Sequence, residues 1–139
     1  MDQTPEYVKM AEKALEIQAL RDHGLNAAID GDCWLVRKNN EGNKVVWIGQ
    51  EWLGGGCCDF DIHEWDESLV WLHRQDQLQA MVGHLYSNTR SMLINMANEL
   101  AYGEDAEARK DWSPEALWLE YVMSTLHGKR WTGEEWAPC

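Results

Sequence analysis

The most regular pattern of apolar positions lies near the beginning of the chain. Apolar side chains recur there at the spacing of one buried helix face, at Val8, Ala11, Leu15 and Ala19. Thr4 and Pro5 are residue types preferred at the N-cap and the first position of a helix, and Gly24 is a typical helix stop. The pattern predicts a first helix from about residue 5 to residue 22.

Three short segments after this helix have the composition of strands, at residues 25–29, 33–36 and 44–48. Asp30-Gly31 between the first two is a hairpin signal, because a type I′ turn needs a positive φ at both of its central positions. Asn39 to Asn43 indicates a second turn. We therefore predict a three-stranded antiparallel meander with the first helix packed on one face.

Helical spacing returns after His73. The apolar positions of this segment are Leu78, Val82, Leu85, Met92 and Met96. Ser87-Asn88 can divide the segment, with Asn88 as a helix cap, so the sequence leaves open whether it forms one helix or two.

The last helix has a clear start and a clear stop. Ser113-Pro114 provides an N-cap and a first-turn proline, and Gly128 provides the stop. In the tail that follows, Trp131 and Trp136 are expected to hold the chain end against the body of the protein.

The length of 139 residues is close to the commonest size for one domain, and no linker divides the chain. We therefore predict a single domain over residues 1–139. Its fold class is α+β: the N-terminal helix and its meander are followed by a C-terminal part of two or three helices.

The charge restricts the classes of partner. Lys and Arg number 12 and Asp and Glu 24, for a net charge of −12. A nucleic-acid binder or a protein on an anionic membrane needs a basic surface, so neither is expected. The first twenty residues lack the apolar run of a signal peptide, so we expect a cytoplasmic protein with free cysteine thiols.

Nine tryptophans are far more than usual for this length. Most are expected in the core, and one or two are expected on a surface where they anchor a protein partner. The stretch from Trp52 to Trp71 combines tryptophans with acids, so we predict contacts with a basic partner there. The predicted contact residues are Trp52, Trp65, Asp66, Glu67 and Trp71.

A second surface is predicted on the helical segment at residues 75–100. Between residues 75 and 98, Asp76 and Arg90 are the only charged side chains. An almost uncharged outer face is typical of a helix covered by another element or another chain, so a homo-oligomer through this segment is one prediction.

A cluster of potential metal ligands follows the triple glycine at residues 54–56: Cys58, Asp59, Asp61 and His63. Thiolate, carboxylate and imidazole all bind zinc, so the chain can alternatively be a small metal-dependent enzyme with a site around Asp59, Asp61 and His63. No Cys-x-x-Cys pair accompanies the cluster, which favours a solvated acidic loop instead. We therefore predict no cofactor and assign no catalytic residue.

Residues 71–79 read Trp-Leu-His-Arg-Gln-Asp-Gln-Leu-Gln. This segment resembles a Trp-Leu-Pro-x-Gln-(Asp/Glu)-Gln-Leu-Gln segment in short uncharacterised proteins of bacteria and their phages, with His73 where proline is usual. The tail from Leu117-Trp118 to Glu135-Trp136 is similar as well, so the resemblance covers about the C-terminal half. It implies a small accessory protein of a mobile element. The negative charge, the tryptophans, the almost uncharged helical segment and the lack of a catalytic motif lead us to predict a non-enzymatic accessory or binding protein of a bacterium or mobile element that acts through protein–protein contacts.

Overall fold

In the computed structural model, the described residues are 2–21, 33–38, 42–47, 69–102 and 106–139. The chain divides into two compact units. One contains Met1–Ala14 and His73–Cys139, and the other contains Leu15–Leu72. The single-domain organisation stays a prediction.

The first unit begins with α1, Pro5–Lys13. The Thr4 side chain accepts a hydrogen bond from the Tyr7 backbone N–H at 3.3 Å, and Pro5 occupies the first turn, so the predicted helix start is confirmed. The predicted helix end is wrong. The helix stops at Lys13 because Ala14 has φ −78° and ψ 64°, outside the helical region.

A short helix, α2 (Leu15–Gln18), and a 3-10 turn (Ala19–Arg21) follow this break. A continuous helix would bury Leu15 with Val8 and Ala11. After the break Ala14 and Ile17 are buried, and Leu15 is 70% exposed. Neither glycine nor proline stands at the break, so the break cannot be predicted from residue type.

Three helices of the first unit lie in the C-terminal half: α3 (Gln75–Gly83), α4 (Thr89–Ala101) and α5 (Pro114–His127). The segment after His73 therefore forms two helices. Asn88 caps α4 through a 2.9 Å hydrogen bond from the Ser91 N–H, as its residue type indicates. Gly128, with φ 60°, ends α5 in the left-handed conformation.

The core of the first unit is centred on α5, which contacts α1, α3 and α4. Its central part is buried on nearly every side, at Ala116, Trp118, Leu119, Glu120, Tyr121, Val122 and Met123. A helix that is apolar on several sides needs neighbours on several sides, which is the position α5 occupies.

A C-terminal hairpin completes the first unit, with β4 (Lys129–Trp131) antiparallel to β5 (Trp136–Pro138). The rings of the paired residues Trp131 and Trp136 lie 5.2 Å apart. The Trp136 indole N–H donates to the Met10 carbonyl at 3.0 Å, and the Trp131 indole N–H donates to Glu6 Oε1 at 2.6 Å. The two tryptophans hold the tail on α1, as predicted.

The second unit contains an antiparallel sheet in the order β2-β1-β3. Its strands are β1 (Cys33–Lys38), β2 (Gly42–Trp47) and β3 (Leu69–Leu72). The pairing of β1 with β2 agrees with the predicted second and third strands. In the predicted meander, residues 25–29 would pair with β1 on the side away from β2. The structure places β3 on that side, paired with Cys33–Val36, so the predicted meander is not seen.

Residues 25–29 themselves lie outside the described residues. The mixed content of helix and antiparallel sheet is confirmed. No helix in the described ranges has both the length and the apolar character needed to cross a bilayer.

Candidate functional site

Most of the residues singled out by the sequence lie outside the described part of the chain. These are the metal candidates Cys58, Asp59, Asp61 and His63 and the contact candidates Trp52, Trp65, Asp66 and Glu67. Within the described ranges, no group of three or more His, Cys, Asp or Glu side chains is placed to hold a metal ion.

Trp71 is the one predicted contact residue that the structure describes. It lies in β3 with 1% of its surface exposed, so its ring belongs to the interior rather than to a contact surface. The Gln18 side chain forms two hydrogen bonds with the Trp71 backbone, accepting from the N–H at 3.1 Å and donating to the carbonyl at 2.9 Å. These two bonds give the backbone N–H and the carbonyl of Trp71 hydrogen-bond partners.

A concave surface in the first unit joins the starts of α1 and α5. It consists of two neighbouring cavities of about 330 Å³ each, which share Glu6 and Trp112 as lining residues. We call this surface the acidic groove. Its lining includes Asp2, Thr4, Glu6, Tyr7, Arg109, Asp111, Trp112, Ser113, Trp131 and Thr132.

Asp2 ties the two helix starts together at the first cavity. Its Oδ1 accepts a hydrogen bond from the Thr4 N–H at 2.8 Å, and its Oδ2 accepts one from the Ser113 hydroxyl at 2.5 Å. Thr4 and Ser113 are the N-caps of α1 and α5. A carboxylate is favoured beside helix N-termini because their exposed N–H groups carry partial positive charge.

Glu6 and Trp112 form the wall between the two cavities. Glu6 lies in the first turn of α1, and its Oε1 is held by the Trp131 indole. Trp112 is half-buried beside the α5 N-cap, and the Arg109 guanidinium lies 6.0 Å from the centre of its ring. The tail hairpin and the α5 start therefore position the polar and aromatic groups of the groove together.

Arg109 does not make the groove basic, because its charge is matched inside the protein. Its guanidinium donates to Glu120 Oε1 at 3.1 Å, and both side chains are buried. Glu120 Oε2 accepts a further hydrogen bond from the Trp131 backbone N–H at 3.0 Å. Burial raises the pKa of Glu120, an effect opposed by the Trp131 hydrogen bond and by the Arg109 charge.

The remaining charges of the lining are the carboxylates of Asp2, Glu6 and Asp111. Carboxylates beside the face of an indole ring are the groups that proteins use to hold an ammonium or a guanidinium ion. The groove is therefore suited to a cationic group. No family model, curated protein or solved structure matches this chain.

A local repeat in the sequence marks the groove. Asp2-Gln3-Thr4-Pro5-Glu6 and Asp111-Trp112-Ser113-Pro114-Glu115 share the pattern Asp-x-Ser/Thr-Pro-Glu, and each segment begins a helix. The caps in these segments were recognised from the sequence. The repeated aspartate two residues before each cap was not predicted, and nothing in the sequence indicates that the two segments meet.

Proposed function

We propose that the chain is a non-enzymatic accessory protein that binds a basic segment of a protein partner in its acidic groove. The observation that carries this proposal is the placement of Asp2, Glu6 and Asp111 around the half-buried Trp112 ring. The resemblance of residues 71–79 to bacterial and phage proteins supports a setting in a bacterium or a mobile element. The sharpest functional alternative is a metal-dependent enzyme around Asp59, Asp61 and His63.

The net charge of the whole chain supports the same class of partner. A net charge of −12 raises the local concentration of a basic partner and accelerates its association. Long-range attraction alone does not choose a binding position. The groove determines the binding position in this proposal, because its carboxylates and its indole ring line the same small cavity.

The dimensions of the groove fit side chains rather than a large ligand. Each cavity of about 330 Å³ is near the lower end of the range of roughly 300–1,000 Å³ found for small-molecule sites. Two such cavities on either side of Glu6 and Trp112 are suited to two long basic side chains of one extended segment. Lys and Arg have apolar stems that can cover the ring while their charged ends reach the carboxylates.

The first prediction concerns Glu6. Glu6→Gln keeps an oxygen that can accept the Trp131 indole hydrogen bond and removes the carboxylate charge from both cavities. We expect it to weaken the binding of an arginine- and lysine-rich peptide roughly tenfold, which corresponds to the loss of one charge-assisted contact. Isothermal titration calorimetry measures this effect.

Glu107→Gln is the matched control. Glu107 is exposed, pairs with Lys110 and does not line either cavity, and its substitution changes the net charge by the same amount. Binding through overall charge would weaken equally in both variants, which would contradict the proposed site. Trp112→Leu tests the aromatic wall, and an unchanged affinity in that variant would remove the ring from the proposal.

A further inference from the structure

The acidic groove contains a competitor for its own ligand. We infer, building on the proposed function, that Arg109 competes with the basic segment for Glu6 and that the negative charge of Glu120 holds Arg109 back. When Glu120 loses this charge, the Arg109 side chain turns into the groove and pairs with Glu6. The cavity where this happens is the one lined by Glu6, Arg109, Trp112 and Trp131, which we call the second cavity.

Arg109 lies between the buried interior and the second cavity. Its side chain is 5% exposed and donates to Glu120 Oε1 at 3.1 Å. It also lines the second cavity, where the carboxylate in the lining is that of Glu6. An arginine side chain has several rotatable bonds, so a change of rotamer moves its guanidinium within the cavity while the backbone stays in place.

The charge of Glu120 decides which carboxylate Arg109 binds. A buried cation whose partner becomes neutral is strongly unfavourable, because it has lost both its hydration and its compensating charge. Glu6 borders the same cavity as Arg109, so its carboxylate offers the compensating charge that Glu120 no longer supplies. The same pairing removes Glu6 as a contact for the basic segment.

The wall of the groove does not depend on the charge of Glu120. Glu120 Oε2 accepts a hydrogen bond from the Trp131 backbone N–H at 3.0 Å, and a neutral carboxyl or carboxamide group keeps an oxygen that accepts this bond. The Trp131 indole therefore continues to hold Glu6 Oε1. Neutral Glu120 acts on the groove through Arg109.

Protonation is the change that removes the charge in the native chain. Burial raises the pKa of Glu120, and the Trp131 hydrogen bond and the charges of Arg109 and Arg130 oppose this effect. Arg130 does not line either cavity, so Arg109 is the arginine of this pair that is placed to compete. On the helices packed against α5, Lys9 pairs with Glu134, Asp76 pairs with Arg74, and Glu99 accepts a hydrogen bond from Ser124.

The affinity of an arginine- and lysine-rich peptide, measured by calorimetry at neutral pH, tests the competition. Glu120→Gln should weaken binding roughly tenfold, as expected when Arg109 leaves the second cavity open about one-tenth of the time. Adding Arg109→Met removes the competitor and replaces the ion pair by a side chain suited to a buried site. This double variant should bind within about twofold of the wild type.

Glu120→Gln with Lys110→Met is the matched control. It has the same net charge as the first double variant, but Lys110 is exposed, pairs with Glu107 and lines neither cavity. It should bind as weakly as Glu120→Gln alone, and circular dichroism of each variant checks that the helices are retained. Equal recovery in both double variants would show that overall charge sets the affinity, which overturns the competition by Arg109.

The dependence of binding on pH tests protonation as the trigger. As the pH falls from neutral towards the ordinary glutamate value of 4.5, the wild type should lose affinity more steeply than Glu120→Gln with Arg109→Met. Asp2, Glu6 and Asp111 titrate in both proteins, so their contribution is common to the two curves. Parallel curves contradict protonation of Glu120 as the trigger.

A double-mutant cycle in urea unfolding tests the movement of Arg109 without peptide. Glu6→Gln should lower the free energy of unfolding more in the Glu120→Gln background than in the wild type, because Glu6 holds Arg109 only in that background. A coupling that is absent or of opposite sign overturns the inference. Peptide affinity that Glu120→Gln leaves unchanged overturns it as well and leaves the proposed function standing, whereas a wild type that does not bind the peptide overturns the proposed function and the competition together.

Discussion

Glu120 connects three parts of the first unit through one side chain. It lies on α5, binds Arg109 in the segment before that helix, and accepts a hydrogen bond from Trp131 in β4. The loss of hydration free energy on burying an ion pair is about as large as the electrostatic attraction between the two charges. The main effect of the Arg109–Glu120 pair is therefore to fix the geometry of the groups around it. By fixing the Trp131 backbone it helps to fix the indole that holds Glu6 in the acidic groove.

The raised pKa of Glu120 predicts a dependence of stability on pH. As the pH rises above the ordinary glutamate value of 4.5, the unfolded chain loses this proton before the folded chain does. The free energy of unfolding should therefore fall with rising pH until the pH passes the raised pKa. Urea unfolding at a series of pH values, compared with Glu120→Gln, measures this contribution.

The comparison with Glu120→Gln is needed because other carboxyl groups act in the opposite direction. The pKa of Asp76 is lowered by its hydrogen bond to Arg74, and the pKa of Glu134 is lowered by its hydrogen bond to Lys9. Both contribute stability that is lost as the pH falls. The quantity to compare is the free energy of unfolding of the wild type minus that of Glu120→Gln. A value that stays constant or increases as the pH rises would contradict the prediction.

At the level of elements, helix ends are set by single residues close to them. Asn88 and Ser113 cap the starts of α4 and α5, and Gly128 ends α5 with a positive φ. Each interaction joins residues only a few positions apart. The starts of α4 and α5 and the end of α5 therefore follow from local sequence, and the end of α1 at Ala14 does not.

Two glycines give a matched test of helix ends. Gly128→Ala should lower the free energy of unfolding by about 1–2 kcal/mol, because alanine is strained at a φ of 60°. Gly83→Ala should raise it by about 0.5–1 kcal/mol, because Gly83 lies in α3 with a helical backbone. Neither added Cβ meets an atom within 4 Å, so backbone conformation decides both signs.

Urea unfolding of the two variants measures both changes, and Gly128→Asn is the control. Asparagine tolerates the left-handed conformation better than alanine, so it should cost less at residue 128. A loss of stability in Gly83→Ala equal to that in Gly128→Ala would show that the side-chain environment, rather than φ, determines the effect.

At the level of the whole molecule, metal content separates the proposed binding protein from its enzymatic alternative. We expect the purified full chain to contain no stoichiometric zinc or manganese, because Cys58, Asp59, Asp61 and His63 lack the paired Cys-x-x-Cys spacing of a structural site. Elemental analysis by mass spectrometry measures this. Stoichiometric metal that is lost in His63→Ala and in Cys58→Ala would favour the metal-dependent enzyme.

The acidic groove depends on contacts that link distant parts of the sequence. Its lining residues fall within three segments, 2–7, 108–116 and 131–133, and the first and last of these lie near opposite ends of the sequence. The repeated Asp-x-Ser/Thr-Pro-Glu segments identify two helix starts with nearby acids. The packing of α1 against α5, the Asp2–Ser113 hydrogen bond and the tail hairpin bring them to one surface.

The sequence by itself determined the helix starts, the stop at Gly128, the β1–β2 pairing, the mixed α and β content and the negative charge. Caps, turns and helical stripes depend on residues a few positions apart, so they can be recognised locally. Tertiary structure decided the break at Ala14, the placement of β3 beside β1, and the burial of Trp71 and Glu120. These depend on which distant segments supply a hydrogen-bond partner or exclude water, and spacing along the chain does not encode that choice.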